Sequence, residues 1–443
     1  MDSLAGAARL VGSLRSQRRA GPRVLLPDDA PIMACHECGL IHRVVEFEHD
    51  RIAECHRCGA ALYRSRPEGV DHALSLVVAA IVLFVLANVF PFMSFNLEGR
   101  SETMLLGSGF WRLYQDGQWA ISILILMVGI LMPLARLLLQ IYILLPLRFG
   151  IMPPNAEPIF RLASRLRPWA MTEIYLVGVI VAYVKLVDFA QIGLGVGLLA
   201  FAALIVVMAW ADAALDPHEV WERLEPQATV SLLHGSEPGI LVACHDCGQI
   251  VKTAGEHAHC PRCGAALHRR KPESLQRTWA CLLAAAILYI PANAYPILTI
   301  ISFGKGAPST ILGGVIELIQ SGMLPIAAVV FLASVLVPVL KILGLAFLTA
   351  SVQFRWTWRP RERTFIYRII EGIGRWSMID IFMISILVGL VTLGNVATIE
   401  PGPAATCFAG VVIITMIGSM SFDPRLIWDV AEEEGAARPA LAV

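Results

Sequence analysis

Apolar residues fall along this chain in eight blocks, grouped four and four, and a short polar stretch carrying two cysteine pairs precedes each group. The first group lies at about 73–93, 119–147, 170–190 and 195–214, and the second at about 276–300, 323–350, 375–394 and 403–421. Blocks of roughly 20 residues that are apolar on every face match the length of a helix crossing about 30 Å of hydrocarbon. The pattern therefore predicts an all-α integral membrane protein with eight spans.

The grouping is a true internal repeat, and recognising it first prevents a wrong fold assignment. Cys55 to Pro91 reads CHRCGAALYRSRPEGVDHALSLVVAAIVLFVLANVFP, and Cys260 to Pro296 reads CPRCGAALHRRKPESLQRTWACLLAAAILYIPANAYP, with no gap between them. Pro133 and Arg136 match Pro338 and Lys341, and Trp169, Met171 and Glu173 match Trp376, Met378 and Asp380. Asp216, Pro217 and Trp221 match Asp423, Pro424 and Trp428. The chain divides into a cytoplasmic tail (1–30), a first ribbon (31–68), a first membrane domain (69–215) and a linker (216–239). A second ribbon (240–272), a second membrane domain (273–422) and a last tail (423–443) complete it. Four spans per half is an even number, so the halves are parallel repeats about an axis along the membrane normal.

Composition and charge refine this picture. Of 443 residues 56% are apolar and 16% charged, which argues against a fully soluble chain, and equal numbers of basic and acidic residues leave no global field to attract nucleic acid. The positive charge is local. Arg148, Arg161, Arg165 and Arg167 follow the second span, and Arg355, Arg359, Arg361, Arg363, Arg368 and Arg375 follow its repeat. The loops near 94–118 and 299–322 are nearly balanced, so the positive-inside rule places the arginine loops, both ribbons and both termini in the cytoplasm. The first 30 residues hold five arginines but no apolar core, which argues against a cleaved signal peptide and for a disordered tail.

Eight of the ten cysteines form CxxC pairs: Cys35 with Cys38, Cys55 with Cys58, Cys244 with Cys247, and Cys260 with Cys263. Two such pairs 12 to 16 residues apart are a zinc-ribbon signature. Four thiolates close a tetrahedral structural Zn2+ site, and the metal supplies most of the folding energy of so small a unit. A redox CxxC and disulfides are the rival readings; no thioredoxin-like pattern surrounds the pairs, and a cytoplasmic face disfavours disulfides. Cys281 and Cys407 lie within spans and read as packing residues.

Ionisable groups inside the blocks cost roughly 2.5–3.5 kcal/mol each at mid-membrane and so need partners or a purpose. The repeat pairs Arg136 with Glu173 and Lys341 with Asp380, two expected ion pairs that either fix helix register or serve transport. Lys185 and Asp188 share a helix face, and only one half carries them, since Thr392 and Asn395 hold the equivalent places. That asymmetry fits a specialised site, and equally fits snorkelling to the interface. Pro91 and Pro296 end the first spans after Asn88 and Asn293, and Pro133 and Pro338 interrupt the second. No Ser/His/Asp set, P-loop or open metal site is legible, so nothing points to an enzyme.

With its doubled ribbon, four spans and ANxxP ending, the chain resembles the paraquat-inducible protein A (PqiA) family from Cys35 to about Trp428. The resemblance implies a bacterial inner-membrane partner of a periplasmic MCE-domain tunnel that moves phospholipid between membranes. It also implies tetraspanin-like halves and a proton-driven polar network mapping onto Lys185, Asp188, Lys341 and Asp380. From the residues alone, an ion-coupled solute transporter, a membrane-bound zinc or redox sensor and a passive tunnel anchor stay open as alternatives.

Overall fold

The computed structural model describes residues 32–44, 52–64, 69–97, 100–186, 191–224, 240–253, 258–302, 305–390 and 397–437. The tail at 1–30 and most of the linker at 216–239 lie outside them.

The first ribbon is two antiparallel hairpins, β1 (Ile32–Ala34) with β2 (Ile41–Arg43) and β3 (Ile52–Glu54) with β4 (Ala61–Arg64). There follow α1 (Gly69–Val89), β5 (Met93–Leu97), β6 (Arg100–Met104) and α2 (Ser108–Gln115). The long α3 (Trp119–Arg148) leads to α4 (Ala156–Leu166), α5 (Thr172–Leu186), β7 (Gln191–Leu194), α6 (Val196–Ala214) and α7 (Pro217–Leu224). The second half opens with β8 (Ile240–Ala243), β9 (Ile250–Thr253), α8 (Ser274–Ala294), β10 (Leu298–Ser302), β11 (Lys305–Ser309) and α9 (Ile311–Gln320). It closes with α10 (Leu324–Gln353), α11 (Pro360–Ile373), α12 (Ile379–Leu390), β12 (Ala397–Pro401), α13 (Pro403–Ser421) and α14 (Arg425–Ala437). Each described helix of one half has its counterpart in the other.

Seven helical stretches among the described residues are long and apolar enough to cross a membrane. The described part of α5 spans 15 residues, about 22 Å, and is shorter than that requirement although its counterpart α12 belongs to a longer stretch. The helices pack in pairs, α1 along α6 and α8 along α13, with α3 and α10 laid against them. On α1 the buried residues Ala73, Val77, Ala80, Phe84 and Ala87 recur every three or four positions, and the small ones let α6 approach closely. Val78, Val82, Val85 and Val89 stand exposed on the opposite face. Apolar residues on both faces suit a helix solvated by hydrocarbon. Between the halves α5 packs on α12, whose residues are buried except Gly389.

The expectation of an all-α fold needs correction. Where loops were expected, β6-β5-β7 and β11-β10-β12 form two three-stranded antiparallel sheets at the helix ends opposite the ribbons. Proline explains the switch: Pro91 and Pro296 stop the first helices, and the chain that follows alternates, with Met93 and Phe95 buried and Asn96 exposed. The spans expected to reach 93 and 300 therefore end at Val89 and Ala294. Asn88 and Asn293 donate to the carbonyls of Phe84 and Tyr289, one turn back in their own helices. In the second spans a five-residue π turn, Met127–Leu131 and Leu332–Leu336, stands just before Pro133 and Pro338, where the missing proline donor breaks the regular ladder.

The fourth span of each half starts on the proline carbonyl of the first. Gly197 donates to Pro91 O and Ala404 to Pro296 O, and a Cβ added at Gly195 or Gly402 would stand 2.0 or 2.1 Å from those oxygens. Gly402→Val is expected to displace the start of α13 and cost about 1–3 kcal/mol. Thermal unfolding of the detergent-solubilised protein would show a lowered midpoint; an unchanged one would mean the contact is slack.

Each ribbon docks on the half it does not lead into. Arg368 on α11 bonds Glu37 at 2.7 Å and donates to Cys58 O at 2.9 Å, while Arg57 lies 4.4 Å over the Trp428 ring on α14. The second ribbon repeats the arrangement: Arg161 on α4 donates to Cys263 O at 2.8 Å, and Arg262 lies 5.9 Å over Trp221 on α7. Arg165 adds an ion pair to Asp246 at 2.8 Å. The arginine-bearing helices and both ribbons thus share one side of the molecule.

Candidate functional site

Two kinds of site emerge, the cysteine tetrads and a charged chamber between the halves. In each knuckle the second cysteine is followed by a glycine at positive φ, such as Gly39 at 75° and Gly248 at 73°, a conformation that turns both thiols inward. Cys35, Cys38, Cys55 and Cys58 bring four Sγ atoms within 4.8 Å of one another, as do Cys244, Cys247, Cys260 and Cys263. The Cys35–Cys58 and Cys38–Cys55 separations are 3.5 Å, and Cys244–Cys263 and Cys247–Cys260 are 3.5 and 3.6 Å. Disulfides need about 2.05 Å, whereas tetrahedral sulfurs at about 2.3 Å from one ion lie about 3.8 Å apart. The tetrads therefore fit a closed metal site. Cys38 hydrogen-bonds Cys35 and holds that thiol down to about 4, while burial pushes Cys58 up to about 12. Four thiolates share so small a space only with a cation between them. His42 Nε2, 3.2 Å from Cys55 Sγ, adds a contact outside the ligand set.

The chamber has a volume of about 600 Å³ and lies on the ribbon side of the seam, walled by α3, α5 and α6 of one half and α10, α11 and α13 of the other. Arg136 on α3 is buried and bonds Asp212 on α6; Arg167 approaches the same carboxylate at 3.6 Å. Glu173, at the start of α5, faces Arg375 across the seam at 3.6 Å. The expected Arg136–Glu173 pair is therefore not formed, because α6 rather than α5 presents the carboxylate that Arg136 reaches.

The expected Lys341–Asp380 pair is also not formed. Lys341 is 3% exposed, and its Nζ has no hydrogen-bond or ion-pair partner among the described residues. Repeat symmetry explains the vacancy. Position 419, the counterpart of Asp212, is a serine whose hydroxyl donates to Met416 O. Gly374 stands where the first half has Arg167, and a Cβ there would be 2.6 Å from Lys341 Nζ. Asp380 is buried in the first turn of α12 and does not line the chamber. The Lys185 side chain, Asp188, Thr392 and Asn395 lie outside the described residues.

Of the six intramembrane candidates, Arg136, Glu173 and Lys341 meet in this chamber. Asp212 was missed. Its signal was present, a lone carboxylate in the apolar block 196–214, but no matching acid in the repeat drew attention to it.

Comparison with known proteins places this geometry in context. The family described as Paraquat-inducible protein A matches residues 70–225 and again 275–432. Intermembrane transport protein PqiA of Escherichia coli K12 is 34% identical over 406 residues, covering 89% of this chain and 95% of its own. Lipophilic envelope-spanning tunnel protein A of the same organism is 32% identical over 404 residues, 91% of this chain and 92% of its own. A probable intermembrane transport protein of Haemophilus influenzae is 28% identical over 407 residues, 91% and 97%. No solved structure matches.

Proposed function

The chain belongs to the paraquat-inducible protein A family, and we propose that it is the inner-membrane component of an intermembrane lipid-transport system. It passes phospholipid to or from a periplasmic tunnel of MCE-domain subunits and is not itself an enzyme. The observation that carries this reading is the match to a named intermembrane transport protein across 95% of that protein's length. Eight spans in two tetraspanin-like halves, with ribbons and termini cytoplasmic, fit the arginine-rich helices that share the ribbon side. Each tetrad holds one Zn2+ and sets the shape of its ribbon, and transport is carried by the seam between the halves.

There, groups held in the low-dielectric interior change charge at a large cost, so protonation can bias two arrangements of packed helices. Lys185, Asp188, Lys341 and Asp380 form the network we assign to that step, driven by a proton gradient. Lys185→Ala and Asp188→Ala are expected to abolish rescue of an envelope-permeability defect, with membrane levels and co-purification of the MCE subunit unchanged. Full rescue by both variants would reduce the chain to an anchor for the tunnel.

A further inference from the structure

The chamber carries more cationic than anionic groups. Arg136, Arg167, Lys341, Arg368 and Arg375 line it, against the carboxylates Glu173, Asp212 and Glu371, an excess of two positive charges. Pairing within the molecule engages each of the four arginines but not the lysine. Asp212 serves both Arg136 and Arg167, Glu173 faces Arg375, and Arg368 is engaged by Glu37 of the first ribbon. Lys341 has no partner among the described residues, is 97% buried and lines the cavity. A buried ammonium without a counter-charge is costly, and the repeat shows what is missing: a carboxylate at position 419.

Part of the lining is apolar and deformable. Met208 on α6 faces the chamber together with Met416 and Met420 on α13, unbranched thioether side chains that adapt to irregular occupants. An unpaired cation and adaptable apolar side chains in one chamber suit an amphiphilic anion. We propose that the chamber is a binding subsite for a phosphate group, with Lys341 as its direct ligand and Arg375 beside it. The phosphate takes the place that Asp212 occupies in the first half, and the methionines receive the apolar portion attached to it.

This deepens the lipid-transport reading and rests on it for the source of the phosphate, which is a phospholipid headgroup entering from the ribbon-side leaflet or a free phosphate.

The test is retention of three probes by the purified full-length protein, measured by native mass spectrometry. The probes are short-chain phosphatidylglycerol, inorganic phosphate and diacylglycerol. Lys341→Met, of similar length but uncharged, is expected to weaken phosphatidylglycerol binding about tenfold or more, the loss of one charge-assisted contact. Diacylglycerol should bind the wild type at least as weakly as phosphatidylglycerol binds that variant. Ser419→Asp provides an independent arm that keeps the lysine. It recreates the carboxylate of the first half, and is expected to raise the thermal midpoint while abolishing phosphatidylglycerol retention. Undiminished retention in Ser419→Asp, or equal retention of diacylglycerol, overturns the subsite while leaving the transport reading intact. Inorganic phosphate retained with Lys341 dependence, and phosphatidylglycerol not retained, supports the anion site and overturns the lipid reading.

Discussion

Cys58→Ser is expected to halve the zinc bound per chain and to unfold the first ribbon, leaving the second ribbon loaded. The reason is the size of the missing term. Structural thiolate sites bind zinc with apparent free energies of about 10–16 kcal/mol, and the described part of this four-stranded unit has little apolar core of its own to replace them. Its four strands are three or four residues each, and its buried side chains are mainly the ligands and Ala60. The damage should spread, because the Cys58 carbonyl receives the Arg368 guanidinium and Arg57 covers Trp428. Metal analysis of the purified chain and limited proteolysis check this together. One tetrad's worth of zinc should be lost, with new cleavage within 32–64. Retention of the full zinc content would show that three thiolates suffice, and that the ribbon is held by its docking helices.

The second large effect is expected at Asp212. Its carboxylate is the counter-charge for Arg136, which is 5% exposed, and removing one partner of a buried pair typically costs about 3–5 kcal/mol. Asp212→Ala should therefore lower the thermal midpoint strongly. Arg136→Met combined with Asp212→Leu should recover most of the loss, since replacing both charges by apolar groups of similar volume is close to neutral. If the double variant is as unstable as the single one, the damage comes from packing between α3 and α6. If Asp212→Ala is as stable as wild type, Arg136 finds another carboxylate, and Glu173 across the chamber is the candidate.

These two sites differ in how far the sequence revealed them. The tetrads were legible because ligand spacing is local: two thiols in one tight turn, a glycine after the second, and a second knuckle nearby. The ion pairs were not. Glu173 was chosen as the partner of Arg136 because the repeat supplied Asp380 beside Lys341, and a doubled pattern of signs looked like a doubled contact. The partner is instead Asp212, 76 residues from Arg136, and the repeat holds a serine in its place. Symmetry in the sequence marked where the charges sit; asymmetry in the packing set what they touch. The sheets were missed for a related reason, since strands of four or five residues beside long apolar helices leave too short an alternation to stand out.

The sequence by itself determined the repeat, the two cysteine tetrads, the position of the apolar helices and the clustering of arginines beside them. Each is either a local spacing or a comparison of the chain with itself, and neither needs the fold. Only the tertiary structure decided that each ribbon crosses to the other half, that α5 meets α12 at the seam, and that Lys341 meets no carboxylate among the described residues. Those outcomes depend on which helix faces lie within a few ångströms of each other, and a helix presents a residue's neighbours only once its packing partners are in place.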